Sequence, residues 1–208
     1  MAPRRFARAA ALAVLALSPA SAQQPELIER TMAIVGGQAI TLSDARAAAS
    51  LGLVDVGRSV EPDQTATARL VDRELMLREV RRYAPPAPSE AAIDARLAEL
   101  RQAFPEPTLT RVFEATGLTE ARLRAWVRDD LRTQTYLLQR FASASTPTDA
   151  EIAAAYVQQR PEFDAAGTTF EHAAPILRER LIASRRRELI ADWVADLRRR
   201  TEVILLVQ

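Results

Sequence analysis

The glycine pair Gly36-Gly37 constrains this chain more than any other feature. Thr31 to Val35 and Gln38 to Leu42 are short β-compatible runs with only those two residues between them. That spacing marks a two-residue hairpin turn, in which glycine supplies the positive φ that other residues resist. Thr41-Leu42-Ser43-Asp44 fits the Ser/Thr-x-x-Asp/Glu capping pattern, so a helix should start near Leu42. A phosphate-cradling loop would need a third glycine or a Gly-Lys-Ser/Thr ending, whereas Gln38-Ala39-Ile40 continues as strand. A hairpin is marginal alone and needs a third strand or a helix to pack on. The far end offers "EVILLVQ", Glu202 to Gln208, a continuous apolar run with β-branched residues, which is the pattern of a buried strand. We expect it to pair with the hairpin, so that both ends of the mature chain meet in one small sheet.

Between these ends the chain reads as helix. Ile93, Leu97, Leu100 and Phe104 form one face of a helix that Pro105 and Pro107 end. Leu123, Trp126, Val127, Leu131, Leu138 and Phe141 make a longer stripe, with Arg122, Arg124, Arg128, Asp129 and Arg132 largely opposite. From about Asp63 to Tyr83 the residues Leu70, Val71, Leu75, Met76, Leu77 and Val80 wrap around the cylinder, which predicts a central helix with neighbours on several sides. "YAPPAPS", Tyr83 to Ser89, is a stiff connector, and "SASTPTDAE", Ser143 to Glu151, is a hinge candidate. Thr148 and Glu151 there form a capping pair that starts a short helix carrying Tyr156. The last helix should run from about Phe170 to Arg200, opened by Thr168 and Glu171 as a capping pair. Its first half offers Leu177 and Leu181, and its second half offers Leu189, Ile190, Trp193, Val194 and Leu197 at a rotated angle. One flat partner cannot cover both faces, so the helix bends or bridges two surfaces.

The first 22 residues carry Arg4, Arg5 and Arg8 and no acid, then the apolar run Ala9 to Leu17, then "SPASA" with a small-residue cleavage pattern. This reads as a secretory signal peptide cleaved near Ala22, and the apolar run is too short to span a bilayer. The expected organisation is a signal over 1–22, a helical domain over 23–145, and a linker, short helix, long helix and closing strand over 146–208. The chain has no Cys, which fits an oxidising envelope space such as the periplasm. The signal takes three of the 28 basic residues and none of the 27 acidic ones, so the mature chain carries a formal net charge of about −2. That balance argues against nucleic acid as a partner, since affinity there rests on neutralising phosphates. Every basic residue is Arg, so a Walker A lysine is excluded.

Catalytic groups are scarce. His172 is the single histidine, no Gly-x-Ser-x-Gly elbow is present, and neither a zinc site nor any other cofactor site is expected. Asp129-Asp130 and the runs Arg185-Arg186-Arg187 and Arg198-Arg199-Arg200 read as solvated, salt-bridged helix faces, with Glu179, Glu188, Asp192 and Asp196 nearby. "EATGLTEARLRAWVRDDL", Glu114 to Leu131, has a helix-turn-helix layout. Behind an export signal and with net negative charge, it reads as a helical corner.

Taken in order, these segments resemble the SurA-type periplasmic chaperones. "AIVGGQAITLSD" is similar to the start of that family's mature chain, and Gly117 to Phe141 resembles the later long helix of its N-terminal domain. Thr146 to Phe163 is similar to the linker and short helix that follow, and Leu181 to Leu206 resembles the closing helix and strand that return to the N-terminal domain. The space from Glu151 to Phe170 is too small for the parvulin isomerase domain common in such proteins, and no parvulin-like glycine-rich segment or paired histidines occur, so no catalytic residue is assigned.

The resemblance implies a mostly α fold: a multi-helix N-terminal chaperone domain with a small sheet formed by the N-terminal hairpin and the C-terminal strand. It implies an ATP-independent holding chaperone for unfolded envelope proteins, with outer-membrane β-barrel precursors as the usual clients. Met76, Phe113, Leu177 and Leu181 are candidate client contacts, because Met and aromatic side chains adapt to varied partners. Two alternatives stay open. A module dedicated to one envelope protein would differ in breadth of binding, and an isomerase-related enzyme would turn over a short Pro peptide. No transmembrane segment is expected in the mature chain, and the sequence carries no signal for an oligomeric state.

Overall fold

The computed structural model describes residues 29–206, so the expected signal peptide lies outside the described residues. Strand β1 (Thr31–Val35) and strand β2 (Gln38–Thr41) form the hairpin, with Gly36 at φ 50° and Gly37 at φ 88° in its turn. A bulge between Thr31 and Ala33 breaks the alternation, and the consecutive Met32 and Ala33 are both buried. Thr41 caps helix α1 (Leu42–Ser50) through a full capping box: its hydroxyl accepts from Asp44 N at 3.2 Å, and Asp44 Oδ2 accepts from Thr41 N at 3.4 Å. Strand β3 (Val203–Leu205) pairs antiparallel with β1, giving the order β2-β1-β3. Gly36 N donates to Glu202 O at 3.1 Å, which fastens the hairpin turn to the closing strand. The closing strand is paired but not buried. Ile204 and Leu205 are 42% and 61% exposed, because β3 is a sheet edge and, among the described residues, no element covers these two side chains.

The remaining helices are α2 (Pro62–Tyr83), α3 (Glu90–Ala103), α4 (Glu106–Thr116), α5 (Glu120–Arg140), α6 (Asp149–Gln158), α7 (Arg160–Ala165) and α8 (Phe170–Arg200). Among the described residues none is long and apolar enough to cross a membrane. Helix α2 is central, as its wrapped pattern predicts: it packs on α1, α5, α8 and both hairpin strands. It ends at Ala84 with φ 45°, and the connector that follows is pinned by Arg132, whose guanidinium donates to Pro85 O at 3.0 and 3.2 Å. In α5 the stripe is corrected at one position: Leu138 is half-exposed, while Thr133 and Tyr136 are buried. The expected Thr168–Glu171 cap does not form. Thr169 takes the cap position of α8 instead, and its hydroxyl lies 3.1 Å from Nδ1 of His172.

Three apolar cores organise these elements. The first gathers β1, β2, one face of α1, α2, the end of α5, and Trp193, Val194 and Leu197 of α8. The second joins the opposite face of α1, at Ala47, and its C-cap Leu51 to α3, α4 and the start of α5. The third is a small lobe of Ile152 and Ala155 from α6, Phe163 from α7, and Ala173 and Leu177 from α8. Helix α8, 31 residues and about 46 Å long, therefore bridges two cores with its two rotated faces. Its buried residues follow that split.

The lobe is fastened electrostatically at its entry. Glu151 accepts from Arg185 of α8 and from the Thr148 backbone N–H at 2.8 Å. The Arg185 guanidinium, then the Thr148 N–H and hydroxyl, hold the Glu151 carboxyl down at about 2, from an ordinary value near 4.5. A carboxyl lowered on folding contributes support that is full above its unfolded value and lost as pH falls through its folded one. The protection factor of the Ile152 amide, which donates to Thr148 O at 3.1 Å, is expected to fall between about pH 4.5 and 2. In Glu151→Gln, native-state hydrogen exchange should show that protection already reduced and flat across the same window.

Candidate functional site: the α2/α8 groove

Helix α2 places Arg69, Asp72 and Met76 on one face, at i, i+3 and i+7. Helix α8 sets Arg187, Ile190, Ala191, Val194, Ala195 and Arg198 opposite, stepping by three and four. Between them lies an open cavity of about 550 Å³, inside the range of ~300–1,000 Å³ typical of ligand pockets. Its floor is apolar. Met76 and Ile190 are half-buried and pack against the first core, and Val194 belongs to that core. Ala191 and Ala195 are exposed, and their small side chains leave the wall open to a visitor. At one end Arg198 closes the groove, donating to Asp72 Oδ1 at 2.6 Å and to Ala68 O at 3.3 Å.

The rim is unbalanced. Arg198 is engaged by Asp72, but among the described residues no ion pair or hydrogen bond involves the side chains of Arg69 or Arg187, and both residues are exposed. Most other arginines of α8 are paired, among them Arg178 with Asp149 at 2.8 Å, Arg199 with Asp196 at 3.0 Å and Arg200 with Glu79 at 3.8 Å, whereas Arg186 buries its Nε and forms no ion pair among the described residues. The arginine runs are thus mostly solvated ion-pair faces, and Arg187 departs from that pattern.

A second cavity, of about 340 Å³, lies between the hairpin, α2 and α5, and its character is different. Its charges satisfy one another: Arg81 bridges Glu74 at 3.4 Å and Asp129 at 3.3 Å, Arg122 holds Asp44 at 2.6 Å, and Arg73 donates to Trp126 O at 2.7 Å. Burial raises the Glu74 carboxyl above its ordinary value despite the arginines around it. This network ties α1, α2 and α5 together across the cavity.

The four candidate client contacts do not converge. Met76 lines the α2/α8 groove, and Phe113 packs on the α3–α4–α5 core. Leu181 is half-buried against the lobe. Leu177 is 1% exposed inside that lobe and is a core residue with no surface for a client. Sequence reasoning names Ile190 and Val194 as a helix face and Arg187 as part of a solvated run, but misses Ala191, Ala195 and Arg69. The signal was present: two alanines four apart beside a larger apolar pair mark a helix face left shallow.

No protein-family model matches this chain, and no curated protein matches it.

Proposed function

We propose that the chain is an ATP-independent holding chaperone for unfolded envelope proteins, acting in the periplasm after removal of a signal peptide near Ala22. In this reading it is a SurA-type N-terminal chaperone domain without a parvulin module. Outer-membrane barrel precursors are its principal clients. The observation that carries the reading is the open apolar groove between α2 and α8, whose floor includes the adaptable Met76. The return of β3 to β1 agrees with the order of elements on which the resemblance rests.

The physics suits such a task. A barrel strand alternates apolar and polar side chains and is aggregation-prone until its backbone and apolar face are covered. A thioether floor with small-residue walls accepts varied side chains through weak contacts. Release then needs only a destination that binds the client better, with no covalent step.

The test dilutes a urea-unfolded outer-membrane barrel protein into the chain from Gln23 to Gln208 and follows light scattering without nucleotide, with an unrelated exported protein as second client. Suppression for both clients at near-stoichiometric ratio is expected, and it should weaken in Met76→Glu, which places a charge on the apolar floor. Suppression of neither client would sink the general chaperone reading and leave a dedicated partner to be sought by crosslinking.

A further inference from the structure

We infer that the α2/α8 groove selects apolar client segments flanked by carboxylates. This rests on the holding-chaperone reading and adds the chemistry of the segment held. The observation behind it is the asymmetry between floor and rim. The floor of Met76, Ile190 and Val194 asks for apolar side chains, while the rim carries Arg69 on one wall and Arg187 on the other with no carboxylate paired to either among the described residues. The single acid that lines the groove, Asp72, is already held by Arg198.

An occupant seated on that floor strips water from the two guanidiniums. Desolvating an unpaired charge is unfavourable, and a carboxylate from the occupant restores the lost hydrogen bonds, in bidentate form where the geometry allows. A basic flank meets like charge at both walls and is rejected. The apolar floor also distinguishes this site from a phosphate-binding patch, which would need donors at its base. The carboxylates therefore set which apolar segments dwell in the groove, and their contribution weakens with salt because the rim is exposed.

The test uses the chain from Gln23 to Gln208 and two fluorescein-labelled peptides that share a Leu-Val-Phe-Leu core, one flanked by paired Asp and the other by paired Arg. Fluorescence anisotropy is expected to show the acidic peptide bound roughly tenfold tighter at low salt, the order expected when two exposed attractive pairs become repulsive. Arg69→Gln with Arg187→Gln should erase the preference, and Arg69→Glu with Arg187→Glu should invert it. Both positions are exposed and have no partner among the described residues, so thermal melts serve as a check that the fold is kept. Equal binding of the two peptides, no binding of either, or a preference that survives the charge reversal overturns the inference. Scattering suppression measured on the same samples separates the two claims. Suppression without an acidic preference sinks the selectivity alone, whereas absence of suppression by the parent chain sinks the chaperone reading.

Discussion

Replacing Trp193 by Ala is expected to remove about 3–5 kcal/mol of folding free energy, the range for deleting a large buried aromatic side chain. Against a total of about 5–15 kcal/mol for a domain, that is enough to move the urea midpoint far down. The ring is 8% exposed and lies where the end of α5 meets α8: Tyr136 and Phe141 are each 6.0 Å away between ring centroids, and the Arg140 guanidinium sits 5.2 Å from the indole centroid. Arg140 also lies over Tyr136 and Phe141, so one cation is framed by three rings. The paired variant Trp193→Phe tests the cause. The indole Nε1 is buried with no hydrogen-bond partner among the described residues, and a buried donor left unsatisfied costs about 1–3 kcal/mol. Phe removes that penalty while keeping an aromatic face, and we expect it within about 1.5 kcal/mol of the parent in urea unfolding. A Phe variant as unstable as the Ala variant would show that ring volume, and not aromatic contact, holds α8 to α5.

Leu177→Ala, on the same helix, should behave differently. Leu177 is fully buried, and its truncation costs about 2–5 kcal/mol. Among the described residues the buried part of its core is small, Ile152, Ala155, Phe163 and Ala173 besides itself, and α6 and α7 pack mainly on each other and on α8. The loss should fall on the lobe. In native-state hydrogen exchange α6 and α7 are expected to lose most of their protection while α2 keeps its own. Loss of protection spread evenly over α2, α5 and α6 would instead make the lobe and the main cores one cooperative unit. The contrast between Trp193 and Leu177 follows from the bridge that α8 forms, with one face in each core.

Local chemistry made the hairpin, the α1 cap and the α6 cap legible in the sequence. Gly36-Gly37 supplies the two positive φ values that a two-residue turn needs, and Thr41 with Asp44, or Thr148 with Glu151, satisfies helix-end donors within four residues. The failures have equally local causes. Thr168 and Thr169 are adjacent, and either fits a cap pattern; the chain enters α8 at Thr169, where no side-chain oxygen reaches a backbone donor. "EVILLVQ" has the composition of a buried strand, but burial depends on what lies over it, and at the edge beyond β1 no element among the described residues covers Ile204 or Leu205. Leu138 fits the stripe of α5 by spacing, yet the aromatic cluster that closes on α8 turns Tyr136 inward in its place.

The groove was the least legible part, because its two walls come from residues more than a hundred positions apart in the chain. Periodicity assigns Met76 and Ile190 to apolar faces without saying that these faces meet, or that Ala191 and Ala195 leave a gap between them. The unpaired state of Arg69 and Arg187 depends likewise on where every carboxylate falls in three dimensions. Arg187 sits in a run of three arginines that the sequence presents as equivalent, and the fold separates them: Arg185 bonds Glu151, Arg186 buries its Nε, and Arg187 lines the groove.

The most direct test places a photo-crosslinking residue at Ala191, on the open wall, and irradiates while an unfolded outer-membrane barrel protein is diluted from urea with scattering followed in the same sample. Suppressed scattering together with client adducts at Ala191, both diminished by Met76→Glu, is the expected result. Full suppression with no adduct at Ala191, unchanged by Met76→Glu, would contradict it.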